Sequence, residues 1–371
     1  MADVQARVQK TIDRLVEAGQ ETGIQVAAYK DGRLVANAWA GAADPSTGRP
    51  VDGQTLIHSY SAGKGVTATV AHLLAARGVL DYDTPLAHHW PEFAAHGKER
   101  VTLRHALTHS AGVPQLPAGI TAGQLYDWDA MCATVAGQEP LWEPGTATGY
   151  HGWTFGWLVG ETVRRATGRT ISQVLREEVA GPLGVADSLF LSVPEQALPR
   201  VATLVEGNWE AWLAAMPQDL PFFRSLPNHG VWTTAELANR PEYLRAELPA
   251  GGTFSASAVA RMYAALIGAV DGVRLLPPEH TARIAALATD DTDLMFGRPI
   301  AKGLGYFLGL PESGGRRTAF GHNGSGGSIA FADPEHGLAV AILHTRLTGG
   351  QENTGPQTVA DEIRAALGIT A

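Results

Sequence analysis

The sequence predicts an α+β fold: an antiparallel sheet assembled from both ends of the chain and flanked by helices, with a mostly helical lobe inserted between. Three observations predict it. Two apolar runs near the start flank Asp31-Gly32, a strong hairpin signal. A series of apolar runs near the end is separated by turn residues, as in a meander. Between about 80 and 250 helical spacing dominates and strand signals are few. The expected partition is an α/β lobe from 1–78 and 250–371, a mainly helical lobe from 79–249, and an active site between them.

Each element has a local reason. Val8, Ile12, Leu15 and Val16 recur at helical spacing in residues 4–18, and Gly19 ends that helix. Ile24 to Lys30 and Leu34 to Ala40 form the hairpin; a loop through Asp44-Pro45 and Gly48-Arg49-Pro50 then leads to Thr55-Leu56-Ile57. From Ser61, Val66, Val70, Leu73 and Leu74 mark a buried helix stopped by Gly78. In the insert, Leu103 to Leu107, Thr154 to Thr167 and Ile171 to Val179 are the clearest helical segments. The tail reads as strands at Leu304 to Leu310, Thr318 to Gly321, Gly327 to Ala332 and Leu338 to His344, with a turn at Ser313-Gly314-Gly315 and a last helix from about Thr358 to Leu367.

Composition excludes several classes. Hydrophobic residues make up 45% of the 371 and charged residues 18%, so the chain can bury a sizeable core and is neither disordered nor fibrous. The net charge of −9 repels phosphate backbones and anionic lipid surfaces, so neither nucleic acid nor membrane is an expected partner. A lone cysteine, Cys132, closes no intramolecular disulfide; residues 1–20 carry spread charges, and no apolar run is long enough for a membrane span. A cytoplasmic address is the expectation.

Ser61-Ala62-Gly63-Lys64 is the only Ser-x-x-Lys of the chain, and it opens the buried helix. The three-residue offset puts both side chains on one helical face, about one turn apart. An alcohol needs a neighbouring base to become a nucleophile, and burial favours the amine form of a lysine that can serve as one. The helix end offers an N–H to an oxyanion. Gly63 and Gly65 flank Lys64, each at a cost of roughly 1 kcal/mol in a helix, a local irregularity of the kind found at functional sites. The competing view, a buried structural serine and a snorkelling lysine, stands until further motifs are read.

Those motifs are Trp142-Glu143-Pro144-Gly145-Thr146, Tyr150, Gly156-Trp157-Leu158-Val159-Gly160-Glu161 and Ala166-Thr167-Gly168, with Phe320-Gly321-His322-Asn323-Gly324-Ser325-Gly326-Gly327 and Asp333-Pro334 near the end. With Leu107-Thr108-His109-Ser110-Ala111-Gly112 and Pro249-Ala250-Gly251-Gly252, the chain resembles the serine β-lactamase and penicillin-binding-protein superfamily over about residues 5–365. By motif it is similar to class C β-lactamases, family VIII carboxylesterases and related transacylases.

The resemblance implies the β-lactamase/transpeptidase-like form of the fold. It implies acylation of Ser61, proton exchange through Lys64 and Tyr150, and an oxyanion hole from the backbone amides of Ser61 and Ser325. It makes His322 a fourth catalytic position and Gly152, Trp153, Asn323 and Gly324 substrate-binding ones. A phenol beside a lysine ammonium is expected to have a lowered pKa and to relay a proton to the leaving group. Two departures bear on substrate. Gly152 stands where β-lactamases and peptidases usually have asparagine, and His322 where they usually have lysine. Both anchors of a β-lactam or D-Ala-D-Ala peptide are weakened, and histidine there is common in the esterase-like branch. His322, uncharged at ordinary pH, is expected to hydrogen-bond Tyr150 or a substrate oxygen.

The expected activity is that of a carboxylesterase on small esters, with a small-molecule ester or amide substrate and no metal or cofactor. A transacylase is the close rival, a β-lactamase or peptidase ranks behind, and a catalytically inactive binding or sensor protein on the same scaffold is the alternative from another class. Other patterns fall away. His105 and His109 have a zinc-pair offset on an expected helix, but the second belongs to the family's Leu-Thr-His segment, and His88-His89 lacks a third ligand nearby. Residues 58–65 miss the first glycine and the final Ser/Thr of a phosphate loop, and there is no Gly-x-Ser-x-Gly elbow. Trp209, Trp212, Phe222, Phe223 and Trp232 fit an acyl pocket and ordinary core packing equally well.

Overall fold

A computed structural model describes residues 2–369. Helix α1 (Ala2–Glu17) buries Val4, Val8, Ile12 and Leu15 along one stripe. Strands β1 (Gly23–Lys30) and β2 (Arg33–Asp44) pair antiparallel across Asp31-Gly32, whose φ values of 50° and 74° are those of the expected tight turn. β2 runs past Ala40 and pairs again with β3 (Arg49–Pro50), so part of the expected loop is a second hairpin.

Helix α2 (Gly63–Ala76) is buried at every residue from Gly63 to Leu74, and Gly78, at φ 72°, follows its end as expected. In the insert, α3 (Leu103–Leu107), α4 (Trp128–Ala136) and α5 (Thr154–Thr167) pack together, with α5 against α2. Two short strands, Leu189–Phe190 and Val205–Glu206, also lie within this stretch.

Helix α6 (Ala256–Ile267) was not foreseen; only Ser257 and Arg261, four apart on one face, interrupt its apolar surface, a thin stripe to read. The meander follows as β4 (Phe307–Leu308), β5 (Phe320–Asn323), β6 (Ile329–Asp333) and β7 (Leu338–His344), then α7 (Gly355–Ala366). The first of these is shorter than expected because Gly305 and Gly309, at φ 79° and 66°, bend the chain on either side of it.

The seven strands form one antiparallel sheet in the order β4-β5-β6-β7-β1-β2-β3, so the two termini meet at β7–β1, where Ile24 faces His344 and Lys30 faces Leu338. Alternation sorts the side chains. Ile24, Val26, Ile329, Phe331, Val340 and Ile342 face α1 and α7, whereas Ala27, Ala330, Ala332, Ala339 and Ala341 face the core beneath α6. That alanine layer meets the alanines of α6, which lets the helix lie close to the sheet. This is the expected α+β arrangement, with α2 packed between α5 and β5. Among the described residues no helix is long and apolar enough to cross a membrane.

Candidate active site

Ser61 sits in a single helical turn, Tyr60–Ala62, immediately before α2. Tyr60 is held at φ 42°, a strained value for a tyrosine. The turn is fixed from outside: the Tyr60 hydroxyl donates to the Thr234 carbonyl and its ring meets His58 edge-on at 4.6 Å. The glycines flanking Lys64 have a packing reason. A Cβ at Gly63 would stand 2.1 Å from the Gly251 carbonyl carbon, so its absence lets the segment Ala250-Gly251-Gly252 lie against the start of α2.

That approach brings the Ala250 carbonyl to Lys64. Lys64 is fully buried, with Nζ 2.9 Å from Ser61 Oγ and 3.0 Å from Ala250 O. Burial drives its pKa well below the usual lysine range, so the amine form expected from sequence is favoured. An amine here keeps one N–H for Ala250 and a lone pair for the Ser61 proton.

Tyr150 lies 7% exposed, its ring 5.1 Å from Lys64 Nζ and packed against His109 and Phe296 at centroid distances of 5.0 and 5.5 Å. Its pKa moves opposite to the expectation. Burial pushes it above the ordinary phenol value, a hydrogen bond with Ser61 pulls against that, and the Asp293 charge adds to the rise. The expected lowering required a lysine ammonium, and the same burial disfavours that charge on Lys64. Burial thus disfavours charge on both groups.

His322 on β5 is buried and stacks on Phe307 at 4.4 Å. Burial, with the Lys64 charge, lowers its pKa to about 3, so it is neutral as expected. It makes no hydrogen bond to Tyr150, whose ring centroid is 6.1 Å away; its Nδ1 instead lies 2.6 Å from the carbonyl of Asn323, and Nε2 has no partner among the described residues. The difference has a local reason: the carbonyl of the next residue on its own strand engages the ring nitrogen.

Ser61, Tyr150, Gly152, Trp153 and Ser325 line one cleft, with Tyr60, Phe222, Leu226 and Thr233 among its other walls. The Ser325 amide has no hydrogen-bond acceptor among the described residues. Trp153 is a fixed wall, its indole donating to Val231 O at 3.2 Å. A Cβ at Gly152 would lie 3.3 Å from Ser225 Oγ, so the missing side chain leaves room for substrate. Asn323 is exposed and Gly324 packs its backbone on Ser59; neither lines the cleft.

The aromatic cluster divides. Phe222 walls the cleft, Phe223 is core, and Trp209 and Trp212 stack on each other at 5.0 Å with Trp212 37% exposed. The histidine pair is no metal pair: α3 ends at Leu107, His109 turns away at φ 58°, and its Nδ1 accepts the His151 amide at 3.0 Å. Sequence reasoning missed Ser225 and Thr233 in the wall and the buried Asp293 and Lys302 behind Tyr150, none of which belongs to a local motif.

The sequence model of the family described as Beta-lactamase matches residues 8–364. The esterase/beta-lactamase LipL of Mycobacterium tuberculosis is 36% identical over 350 residues, covering 88% of this chain and 77% of that protein. Among solved structures, a family VIII carboxylesterase and a penicillin-binding protein homologue from Caulobacter crescentus each superpose with a TM-score of 0.87 at 32% identity, covering 97% of both chains. With the Ser61–Lys64 pair and Tyr150 on one cleft and the family model spanning nearly the whole sequence, the chain belongs to the beta-lactamase family, in its superfamily of penicillin-binding-protein-like proteins and family VIII carboxylesterases.

Proposed function

We propose that this protein is a serine hydrolase of the esterase type that acts on small esters through an acyl-enzyme on Ser61. The observation that carries the reading is the buried Lys64 amine 2.9 Å from Ser61 Oγ, at the floor of a cleft whose lining residues carry no charge beyond what Tyr60 and Tyr150 could acquire. In this reading the Ser61 proton passes to Lys64 as Oγ attacks the ester carbonyl, and the amides of Ser61 and Ser325 receive the oxyanion. Tyr150, protonated at rest, gives its proton to the departing alkoxide and is reprotonated from Lys64. Water then attacks the acyl-Ser61, the same groups working in reverse. His322 lies outside the residues that line the cleft, neutral, with Nε2 buried and without a partner among the described residues, and acts in this reading from behind the wall.

Relatives named esterases support the ester reading, as does the cleft: Gly152 offers no carboxamide, and no lysine or arginine lines the cleft to meet a β-lactam carboxylate. A cytoplasmic address belongs to the same proposal and rests on the single, buried cysteine. The test is a product screen with short p-nitrophenyl esters, with and without added amines, alongside nitrocefin. Free acid as the product supports a hydrolase; acyl-amine products that outpace hydrolysis move the assignment to a transacylase. Nitrocefin cleavage with kcat/KM above about 10⁵ M⁻¹s⁻¹ overturns the substrate argument.

A further inference from the structure

Behind Tyr150 lies an ion pair buried almost completely: Asp293 is 0% and Lys302 1% exposed. Lys302 Nζ donates to Asp293 Oδ2 and to Thr148 Oγ1, both at 2.8 Å. Asp293 Oδ1 accepts the amides of Tyr150 at 3.2 Å, Met295 at 2.9 Å and Phe296 at 3.2 Å. The pair therefore clamps the strap Thr148–Tyr150 from two sides, and the Leu294 amide donates back to Thr148 O at 2.9 Å. The turn it caps carries Phe296, which packs on Tyr150 and stacks at 5.0 Å on Phe222 of the cleft wall.

A buried ion pair is a poor stabiliser, since desolvation consumes most of its attraction and apolar replacements are often as stable. What it does well is hold directional bonds in one geometry. We propose that Asp293 and Lys302 are positioning residues that hold the backbone of Tyr150 so that its hydroxyl stays aligned with Ser61 and the leaving group. The proposal rests on the catalytic reading of Tyr150. A misplacement of about 1 Å at a reacting group costs about 10²-fold in rate, so the clamp acts on kcat rather than on KM.

The test compares Asp293→Ala/Lys302→Met, which buries no unpaired charge, with Asp293→Asn/Lys302→Met, which keeps an acceptor for the three amides. Each is assayed on a short p-nitrophenyl ester in the wild-type and the Tyr150→Phe backgrounds, with active sites counted by fluorophosphonate labelling. The Ala/Met protein is expected to lose about 10–10² in kcat with KM within about threefold, and the Asn/Met protein to recover to within about threefold. In the Tyr150→Phe background the Ala/Met change is expected to have no further effect, because a residue acting through Tyr150 has nothing left to position.

Wild-type kcat in the folded Ala/Met protein, or an equal loss in both backgrounds, overturns the proposal and leaves the pair merely structural. Wild-type kcat in Tyr150→Phe alone overturns the catalytic reading of Tyr150 and this proposal with it. Should the Ala/Met protein not fold, Thr148→Val carries the test: it removes one of the two Lys302 partners, and its expected loss in kcat is likewise abolished by Tyr150→Phe.

Discussion

Gly324→Ala tests whether the spacing between β5 and the nucleophile turn governs the rate. A Cβ at position 324 would stand 2.0 Å from the Ser59 carbonyl oxygen and 3.3 Å from the Ala62 amide nitrogen. Real Cβ atoms stay beyond 3.0 Å, so the strand end and the turn must part by about 1 Å. Both proposed oxyanion amides flank this contact: Ser325 directly follows the glycine, and Ser61 lies between the two residues it would strike. Donors serve an oxyanion at about 2.7–3.1 Å, and loss of one costs about 10²–10³ in kcat. The expected result is a kcat lowered about 10²-fold on a short p-nitrophenyl ester with KM within about threefold, and a stability lowered by about 1–3 kcal/mol from overpacking. Gly119→Ala, whose Cβ would meet nothing within 4 Å, is the control and should leave both unchanged. The assay pairs steady-state kinetics with urea unfolding. A Gly324→Ala protein that is folded, strained by the expected amount and still turns over at the wild-type rate would refute the reasoning.

The remaining predictions are shorter. Ser61→Ala should abolish turnover with the fold intact by circular dichroism, and mass spectrometry of the wild type should place the acyl adduct on Ser61; an adduct on another serine sinks the assignment. In the proposed mechanism the Lys64 amine takes the Ser61 proton, and burial lowers its pKa, so kcat/KM should fall as pH drops through that lowered value. His322, already neutral above about 3, should not set that acid limb, and a pH–rate profile of His322→Gln that lacks the limb would reassign it. The buried His344 ring is opposed by desolvation, yet the charge and hydrogen bonds of Glu21, at 2.9 and 3.0 Å, raise its pKa above 6.5. The stabilisation from this protonation is present below 6.5 and lost as pH rises through the raised value. Glu21→Gln should flatten that part of the Tm-against-pH curve, and an unaltered slope excludes the pair as its source.

The site was legible in sequence wherever neighbours in the chain are neighbours in space. Ser61 and Lys64 are three residues apart on one helical turn, and the hairpin at Asp31-Gly32 announces itself through the two backbone angles only such residues adopt readily. What escaped depends on burial or on long-range packing. The direction of the Tyr150 pKa followed from how deeply both it and Lys64 are enclosed, which spacing does not encode. Asp293 meets Tyr150 across 143 positions of sequence, inside a stretch that otherwise reads as a polar loop. The zinc-like spacing of His105 and His109 was rightly set aside, but the helix expected to carry both ends between them. α6 was missed for a different reason: its polar face is only Ser257 and Arg261, too thin a stripe to stand out in an alanine-rich run.

The place of β1 in the interior of the sheet, between β2 and β7, sets a timetable for synthesis. One edge of β1 is satisfied by its hairpin as soon as residue 44 has emerged, but the other edge waits for Leu338–His344. At about 5–20 residues per second a ribosome takes roughly 15–60 s to deliver the intervening chain. Throughout that interval the nascent protein displays an unpaired apolar strand edge, the kind of surface that recruits other chains. Because every residue from Gly23 to Tyr29 ends buried, premature release or a stalled ribosome exposes a ready template for aggregation. Yield in a foreign host should therefore respond to holdase capacity and growth temperature more than to the thermodynamic stability of the finished fold.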